Sequence, residues 1–218
     1  MLYAYAITRQ GEPPAMEGLD GSPLRVVGDG VVAIVSEHEE LPLHSDPEDL
    51  WAHEAVVEAV MEGGPALPMR LGTAFPDEQE LLDTLRARRP EFHRALDRVE
   101  GAVELGIRAV VDLEPSDNGR PVNGAGPGTT YMLGRLEQVR AAERVAAAIH
   151  EPLAVLARHS TWRLEAGDPP RLVAAYLVDI SKVDDFRDQV AALEDGRPVA
   201  VVCTGPWPPY SFVDEDKQ

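Results

Sequence analysis

The sequence is almost devoid of cysteine, with Cys203 the only one in 218 residues. No disulfide can therefore form within the chain, and a zinc site built from paired cysteines is excluded. Small apolar residues surround Cys203, and this setting is typical of a buried structural thiol rather than of a nucleophile.

Long apolar runs and positive charge are also scarce. No stretch reaches the roughly 18 consecutive apolar residues that a membrane helix needs, and the opening MLYAYAITRQ lacks the regions of a signal peptide. Lysine and arginine number 20 against 38 acidic residues, for a formal net charge of −18. Nucleic acid and anionic membranes would repel this chain, so we expect neither as a partner. These features predict a soluble, cytoplasmic protein whose charge keeps it in solution or meets a basic partner.

The first half of the chain alternates between strand and helix patterns. We predict a strand at Leu2 to Thr8, a hairpin around Gly28-Asp29-Gly30 and a helix from Pro47 to Glu62 that Asp46 caps. A short strand in ALPMRLGT and a helix over 76–100, broken near Pro90, complete this half. Leu50, His53, Val57 and Val60 are expected to share one face of the first helix.

The second half has the order β-α-β-β-α-β, which is the ferredoxin-like plan. A loop over 114–128 separates its first strand from a long helix, which Thr129 or Thr130 is expected to cap. The apolar stripe of that helix is Met132, Leu136, Val139, Ala142, Ala146, Ile149, Leu153 and Leu156. We therefore predict an α+β fold with two domains, 1–101 and 102–218, both ferredoxin-like or modified ferredoxin-like.

Candidate chemical sites are weak. His38, His44 and His53 lie close together in the sequence among carboxylates, but the helix around His53 lacks the H-E-x-x-H spacing of a zinc site. We predict a hydrogen-bonded structural role for His53. We predict a structural or interface role for Arg70, most simply through an ion pair between its guanidinium and a carboxylate. No metal, cofactor or catalytic constellation is expected, so the protein is predicted not to be an enzyme. The alternative is a ferredoxin-like enzyme or regulator with a small ligand or metal near His53 and Arg70.

Aromatic residues form only 6% of the chain, yet three of them occur in TGPWPPYSFVDEDKQ, from Thr204 to Gln218. The prolines favour an extended path that presents large apolar rings. Such a cluster either folds back over the protein or contacts a partner, and the two roles are compatible. Its candidate interaction or structural residues are Pro206, Trp207, Pro208, Pro209, Tyr210 and Phe212.

Several stretches resemble the gas vesicle accessory protein family GvpF/GvpL. They are Leu2-Tyr3-Ala4-Tyr5-Ala6-Ile7, Trp51 to Val57, Leu67 to Thr73, Tyr131-Met132-Leu133 and, most specifically, Thr204 to Phe212. Leu71 stands where the family more often has phenylalanine.

The resemblance implies two α+β domains of modified ferredoxin-like character and a role that is not catalytic. It implies a minor component or assembly factor of gas vesicles that binds the hydrophobic shell protein GvpA and limits its aggregation. Other gas vesicle accessory proteins are further expected partners. Some members are assigned to the gas-facing side of the shell.

Overall fold

A computed structural model describes residues 1–9, 11–40, 47–111, 127–167, 169–195 and 200–213. The chain divides into two compact units, Met1–Glu104 together with Trp207–Gln218, and Leu105–Pro206. The predicted α+β class is confirmed, with a mixed sheet-and-helix arrangement in each unit. The predicted division kept 102–218 together, whereas the structure groups Trp207 onward with the first unit because Phe212 is buried there.

An antiparallel sheet forms the base of the first unit. Its strands are β1 (Leu2–Arg9), β2 (Arg25–Asp29), β3 (Val31–Glu37), β4 (Ala66–Pro68) and β5 (Ala74–Phe75). The order is β2-β3-β1-β4, and β5 also pairs with β1, so the apolar β1 lies at the centre. The predicted hairpin joins β2 to β3. Gly28 there has φ of +129°, and a Cβ on it would lie 2.5 Å from the Val31 carbonyl oxygen, so a side chain does not fit.

Three helices complete the first unit: α1 (Pro47–Glu62), α2 (Glu78–Ala87) and α3 (Arg89–Val99). The predicted break near Pro90 is confirmed, because the proline lies in the first turn of α3, where its missing N–H costs nothing. Helix α1 buries a face made of His53, Val56, Val57 and Val60, and Leu50 of the predicted stripe lies outside this face. Asp46, the predicted cap of α1, lies outside the described residues.

The second unit has the predicted ferredoxin-like order. Its elements are β6 (Ala102–Val110), α4 (Pro127–Ala154), β7 (His159–Glu165), β8 (Arg171–Asp179), α5 (Val183–Asp195) and β9 (Val201–Trp207). The sheet order β7-β8-β6-β9 places the first strand of the plan beside the third and the fourth. Both helices contribute to one core with the sheet, through residues such as Ile149 of α4, Phe186 of α5 and Tyr176 of β8.

The predicted stripe of α4 is only half buried. Ala142, Ala146 and Ile149 enter the core, whereas Met132, Leu136 and Val139 are exposed. Helical periodicity shows which residues share a face, but it does not show how many turns of that face reach a sheet. The predicted threonine cap was also wrong, since the helix begins at Pro127. Most of the predicted loop over 114–128 lies outside the described residues.

Membrane-spanning helices were not expected from the sequence. Within the part of the chain that the structure describes, every helix is too short or too polar to cross a bilayer.

Candidate functional site

Helix α1 presents a second, outer face opposite its buried one. Leu50, Trp51, Glu54, Ala55 and Glu58 share this face because they recur at steps of one, three and four residues. The Trp51 side chain is 67% exposed. A large aromatic ring in this position is unusual for a residue that serves only packing, so α1 offers an apolar surface to solvent.

The segment 207–213, here called the tail segment, lies against the first unit. Pro208 and Pro209 are buried, and the following 3₁₀ turn, Tyr210–Phe212, turns Phe212 inward until only 3% of it is exposed. Trp207 at the end of β9 remains 49% exposed, and Pro206 before it is also exposed. The rings therefore have different surroundings: Phe212 packs in the core, while Trp207 faces solvent.

Hydrogen bonds hold the tail segment in place. The half-buried Glu104 carboxylate accepts from both the backbone N–H and the hydroxyl of Ser211, each over 2.8 Å. Arg98 donates through Nη1 to the Phe212 carbonyl oxygen over 3.1 Å. The Tyr210 hydroxyl donates to Glu54 Oε1 over 2.6 Å. These bonds hold the backbone on both sides of Phe212 against the first unit.

Burial shifts the titration of two of these groups. Desolvation raises the pKa of the Tyr210 phenol, and the neighbouring Glu54 carboxylate raises it further. The phenol therefore keeps its proton and acts as the donor. Desolvation also raises the pKa of Glu104, while the two bonds from Ser211 lower it in part.

A groove of about 500 Å³ lies between the outer face of α1 and the tail segment. We call it the tryptophan groove, and it is lined by Leu50, Trp51, Glu54, Ala55, Glu58, Trp207 and Tyr210. Its volume is within the range of ordinary ligand sites. Apolar rings with two carboxylates suit the side chains of another protein better than a small anionic metabolite.

His53 has a hydrogen-bond partner at each of its two ring nitrogens. Its Nε2 faces the Met69 carbonyl oxygen at 2.9 Å, so this nitrogen carries the proton, and Nδ1 accepts from the Tyr3 hydroxyl over 2.9 Å. The Tyr3 oxygen in turn accepts from the Gly72 N–H over 3.2 Å. Burial lowers the pKa of His53, and both ring nitrogens are occupied by protein partners. The hydrogen-bonded arrangement expected for this histidine is thus present.

The other predicted site residues do not converge with His53 on a ligand. Arg70 is exposed at a turn that Gly72 and Thr73 complete, and its guanidinium forms no ion pair with a described residue. The predicted strand in ALPMRLGT ends at Pro68 because this turn replaces it. His38 bonds to Ser36 over 2.7 Å, and His44 lies outside the described residues. Among described residues, groups of three metal-ligating side chains are absent.

Reasoning from sequence missed the contribution of Trp51, Glu54 and Glu58. The signal was present, since Trp51 lies off the apolar stripe of α1 and a large ring there is expected to be exposed. The sequence gives no indication that Trp51 and Trp207 line the same groove, because this arrangement depends on contacts between distant parts of the chain.

The first unit of this two-unit α+β chain thus carries an open groove lined by aromatic rings. The family model described as "Gas vesicle synthesis protein GvpL/GvpF" matches residues 1–214. The chain belongs to this family, and the resemblance noted in its sequence is confirmed.

Curated relatives of both types match nearly the whole chain. Gas vesicle protein L of Streptomyces sp. (strain CB03234) is 31% identical over 96% of this chain and 91% of its own length. Gas vesicle protein F of the same strain is 30% identical over 97% and 99%. Gas vesicle protein F1 of Halobacterium salinarum is 29% identical over 98% and 92%. Because the sequence identities to gas vesicle protein L and to gas vesicle protein F are so similar, they do not assign this chain to either type.

Solved structures share the fold. The crystal structure of GvpF from Anabaena sp. PCC7120 matches with a TM-score of 0.83 over 98% of this chain and 95% of its own, at 18% identity. The GvpF structure from Microcystis aeruginosa matches with a TM-score of 0.79 over 98% of each chain, at 19% identity. The chain thus shares the fold of these two GvpF structures.

Proposed function

We propose that this protein is a non-enzymatic assembly factor that binds the major shell protein GvpA through the tryptophan groove and limits its aggregation. The observation that carries the proposal is the pairing of two exposed tryptophans, Trp51 and Trp207, across one groove of the first unit. A hydrophobic client needs a protein that covers its apolar surface until assembly. Tryptophan is enriched among the residues that dominate binding energy at protein interfaces.

The rigidity of the groove supports this role. The buried Phe212 and the bonds from Ser211, Arg98 and Tyr210 hold one wall, and a regular helix forms the other. A surface that is already ordered loses little conformational entropy when a partner binds. The groove can therefore use most of its contact area for affinity.

The charge of the chain also supports the proposed role in binding GvpA. A net charge of −18 keeps a protein with an exposed apolar surface in solution by repulsion between copies. The same charge attracts a partner whose contact surface is basic.

The proposal extends to the location of the protein on the gas-facing side of the shell. Antibody labelling of washed vesicles before and after they are opened would test this location.

Co-expression with GvpA followed by solubility measurement and affinity capture tests the proposal. We expect the wild-type protein to keep GvpA soluble and to retain it, and the Trp51→Ala/Trp207→Ala double variant to lose both effects. Trp162→Ala is the matched control, because Trp162 is also a partly exposed tryptophan but lies on β7 in the second unit. Failure of the wild-type protein to bind GvpA, or equal binding by the double variant, would overturn the proposal.

A further inference from the structure

Two carboxylates lie in the tryptophan groove one helical turn apart. Glu54 and Glu58 are at i and i+4 on the outer face of α1, and Glu54 follows Trp51 by three residues. Glu54 uses Oε1 to accept from the Tyr210 hydroxyl, which sets the orientation of its carboxylate. Ala55 also lines the groove and contributes only a methyl group.

Several acidic side chains elsewhere in the first unit are paired with arginine. Arg9 pairs with Asp97 and Glu100, Arg25 with Glu37 and Glu78, and Arg88 with Glu91. Glu54 and Glu58 form no ion pair with any residue in the described ranges. Two like charges at i and i+4 repel each other, so the groove is an acidic site without a cation of its own.

We infer that the tryptophan groove is an arginine-binding site, in which a partner's guanidinium lies against Trp51 and pairs with Glu54 and Glu58. A planar guanidinium stacks on an indole face and donates to carboxylates through two parallel bonds. The ammonium group of lysine stacks less favourably on an indole and cannot form the two parallel bonds, so the site selects arginine over lysine. The apolar side chains of Leu50 and Trp207 then contact the residues beside that arginine.

The occupant is therefore an apolar segment of another protein that carries an arginine. Charge complementarity supports this choice, because an acidic segment would be repelled by both carboxylates. A purely apolar segment would leave the two carboxylates partly desolvated without a partner, which costs free energy. This inference rests on the proposed function when the partner is GvpA, but the site itself can be tested without GvpA.

The probe is a fluorescein-labelled amphipathic peptide with leucines at helical spacing and one central arginine. Twin peptides carry lysine, glutamine or glutamate at that position, and fluorescence anisotropy measures their affinity for the full-length protein. We expect the arginine peptide to bind about tenfold more tightly than the glutamine peptide, a ratio that one charge-assisted contact supplies. The lysine peptide should bind between these two, and the glutamate peptide most weakly.

Variants of the protein locate the effect. Glu54→Gln/Glu58→Gln should abolish the preference for arginine while it preserves the acceptor for Tyr210. Glu62→Gln, an exposed carboxylate at the end of the same helix, is the matched control and should keep the preference. Circular dichroism of each variant checks that it is folded. Equal affinity for the arginine and glutamine peptides, or an undiminished preference in the double variant, would overturn the inference.

The GvpA capture experiment separates the two proposals. If Glu54→Gln/Glu58→Gln retains GvpA as the wild type does, and Trp51→Ala/Trp207→Ala does not, GvpA binding stands and arginine recognition is wrong for it. If the wild type does not retain GvpA but prefers the arginine peptide through its two carboxylates, the function is wrong and the arginine site stands.

Discussion

The Tyr210 hydroxyl lies 2.6 Å from Glu54 Oε1, although the two residues are separated by 156 positions in the sequence. This bond joins the tail segment to α1 at the edge of the tryptophan groove. The distance between Trp51 and Trp207 thus depends on a contact that forms only when distant parts of the chain have met.

Removal of the Tyr210 hydroxyl should destabilise the first unit without changing its shape. We expect Tyr210→Phe to lower the free energy of unfolding by about 1 kcal/mol, because a hydrogen bond to a charged, partly exposed acceptor is lost. Urea unfolding followed by circular dichroism measures the change. Glu58→Gln, on the same helix but without a described hydrogen-bond partner, should not lower the midpoint. Equal midpoints for Tyr210→Phe and the wild type would contradict the prediction.

The two large rings of the tail segment should separate stability from binding. Phe212→Ala leaves a cavity where a buried ring had been, so we expect a loss of about 3–5 kcal/mol in thermal or urea unfolding. Trp207→Ala removes a half-exposed ring and should cost less than about 1 kcal/mol, while it weakens GvpA retention. A large stability loss for Trp207→Ala, or a small one for Phe212→Ala, would contradict the assignment of Phe212 to stability and of Trp207 to binding.

His53 should be important for stability and not for ligand chemistry. His53→Ala leaves the buried Tyr3 hydroxyl and the Met69 carbonyl without their partner and opens a cavity beside them. We expect a loss of about 3 kcal/mol or more in the free energy of unfolding. The half-buried His93 on α3 offers a matched control, since His93→Ala should cost less than half as much. Comparable losses for both variants would argue against the network.

Stability should fall as the solution becomes acidic. Burial lowers the pKa of His53, His38 and His150 below the ordinary value of 6.5. Below pH 6.5 these three histidines therefore bind more protons in the unfolded chain than in the folded one, so the stability that they contribute above 6.5 is lost as the pH falls.

For the fully buried His53 this loss approaches about 1.4 kcal/mol per pH unit. Urea midpoints measured between about pH 8 and about pH 5 test the sign. A midpoint that stays level or rises toward acid would be inconsistent with buried, neutral histidines.

Local signals predicted most of the element order. Gly28 and Gly30 marked the hairpin, and Pro90 marked the start of α3, because each residue imposes a backbone requirement that neighbours cannot alter. Burial was predicted less well. Leu50 and Met132 lie on apolar stripes yet are exposed, since a stripe does not show how much of it another element covers.

The candidate site was only partly predictable. The composition of the proline-framed tail made it recognisable as a candidate. The composition did not show that Phe212 turns inward while Trp207 stays exposed. That outcome depends on Glu104 and Arg98, whose partners Ser211 and Phe212 lie more than 100 residues away. Sequence periodicity carries no information about contacts over such separations. The same reasoning explains why Glu54 could not be placed beside Tyr210.

The burial of Phe212 in the first unit has a consequence for synthesis on the ribosome. Residues 1–104 leave the ribosome well before the tail segment that completes their core. Translation adds about 5–20 residues per second, so the roughly hundred intervening residues take on the order of 5–20 s. During that interval the nascent first unit exposes the apolar surface that Phe212 later covers, and a chaperone has its best opportunity to bind there.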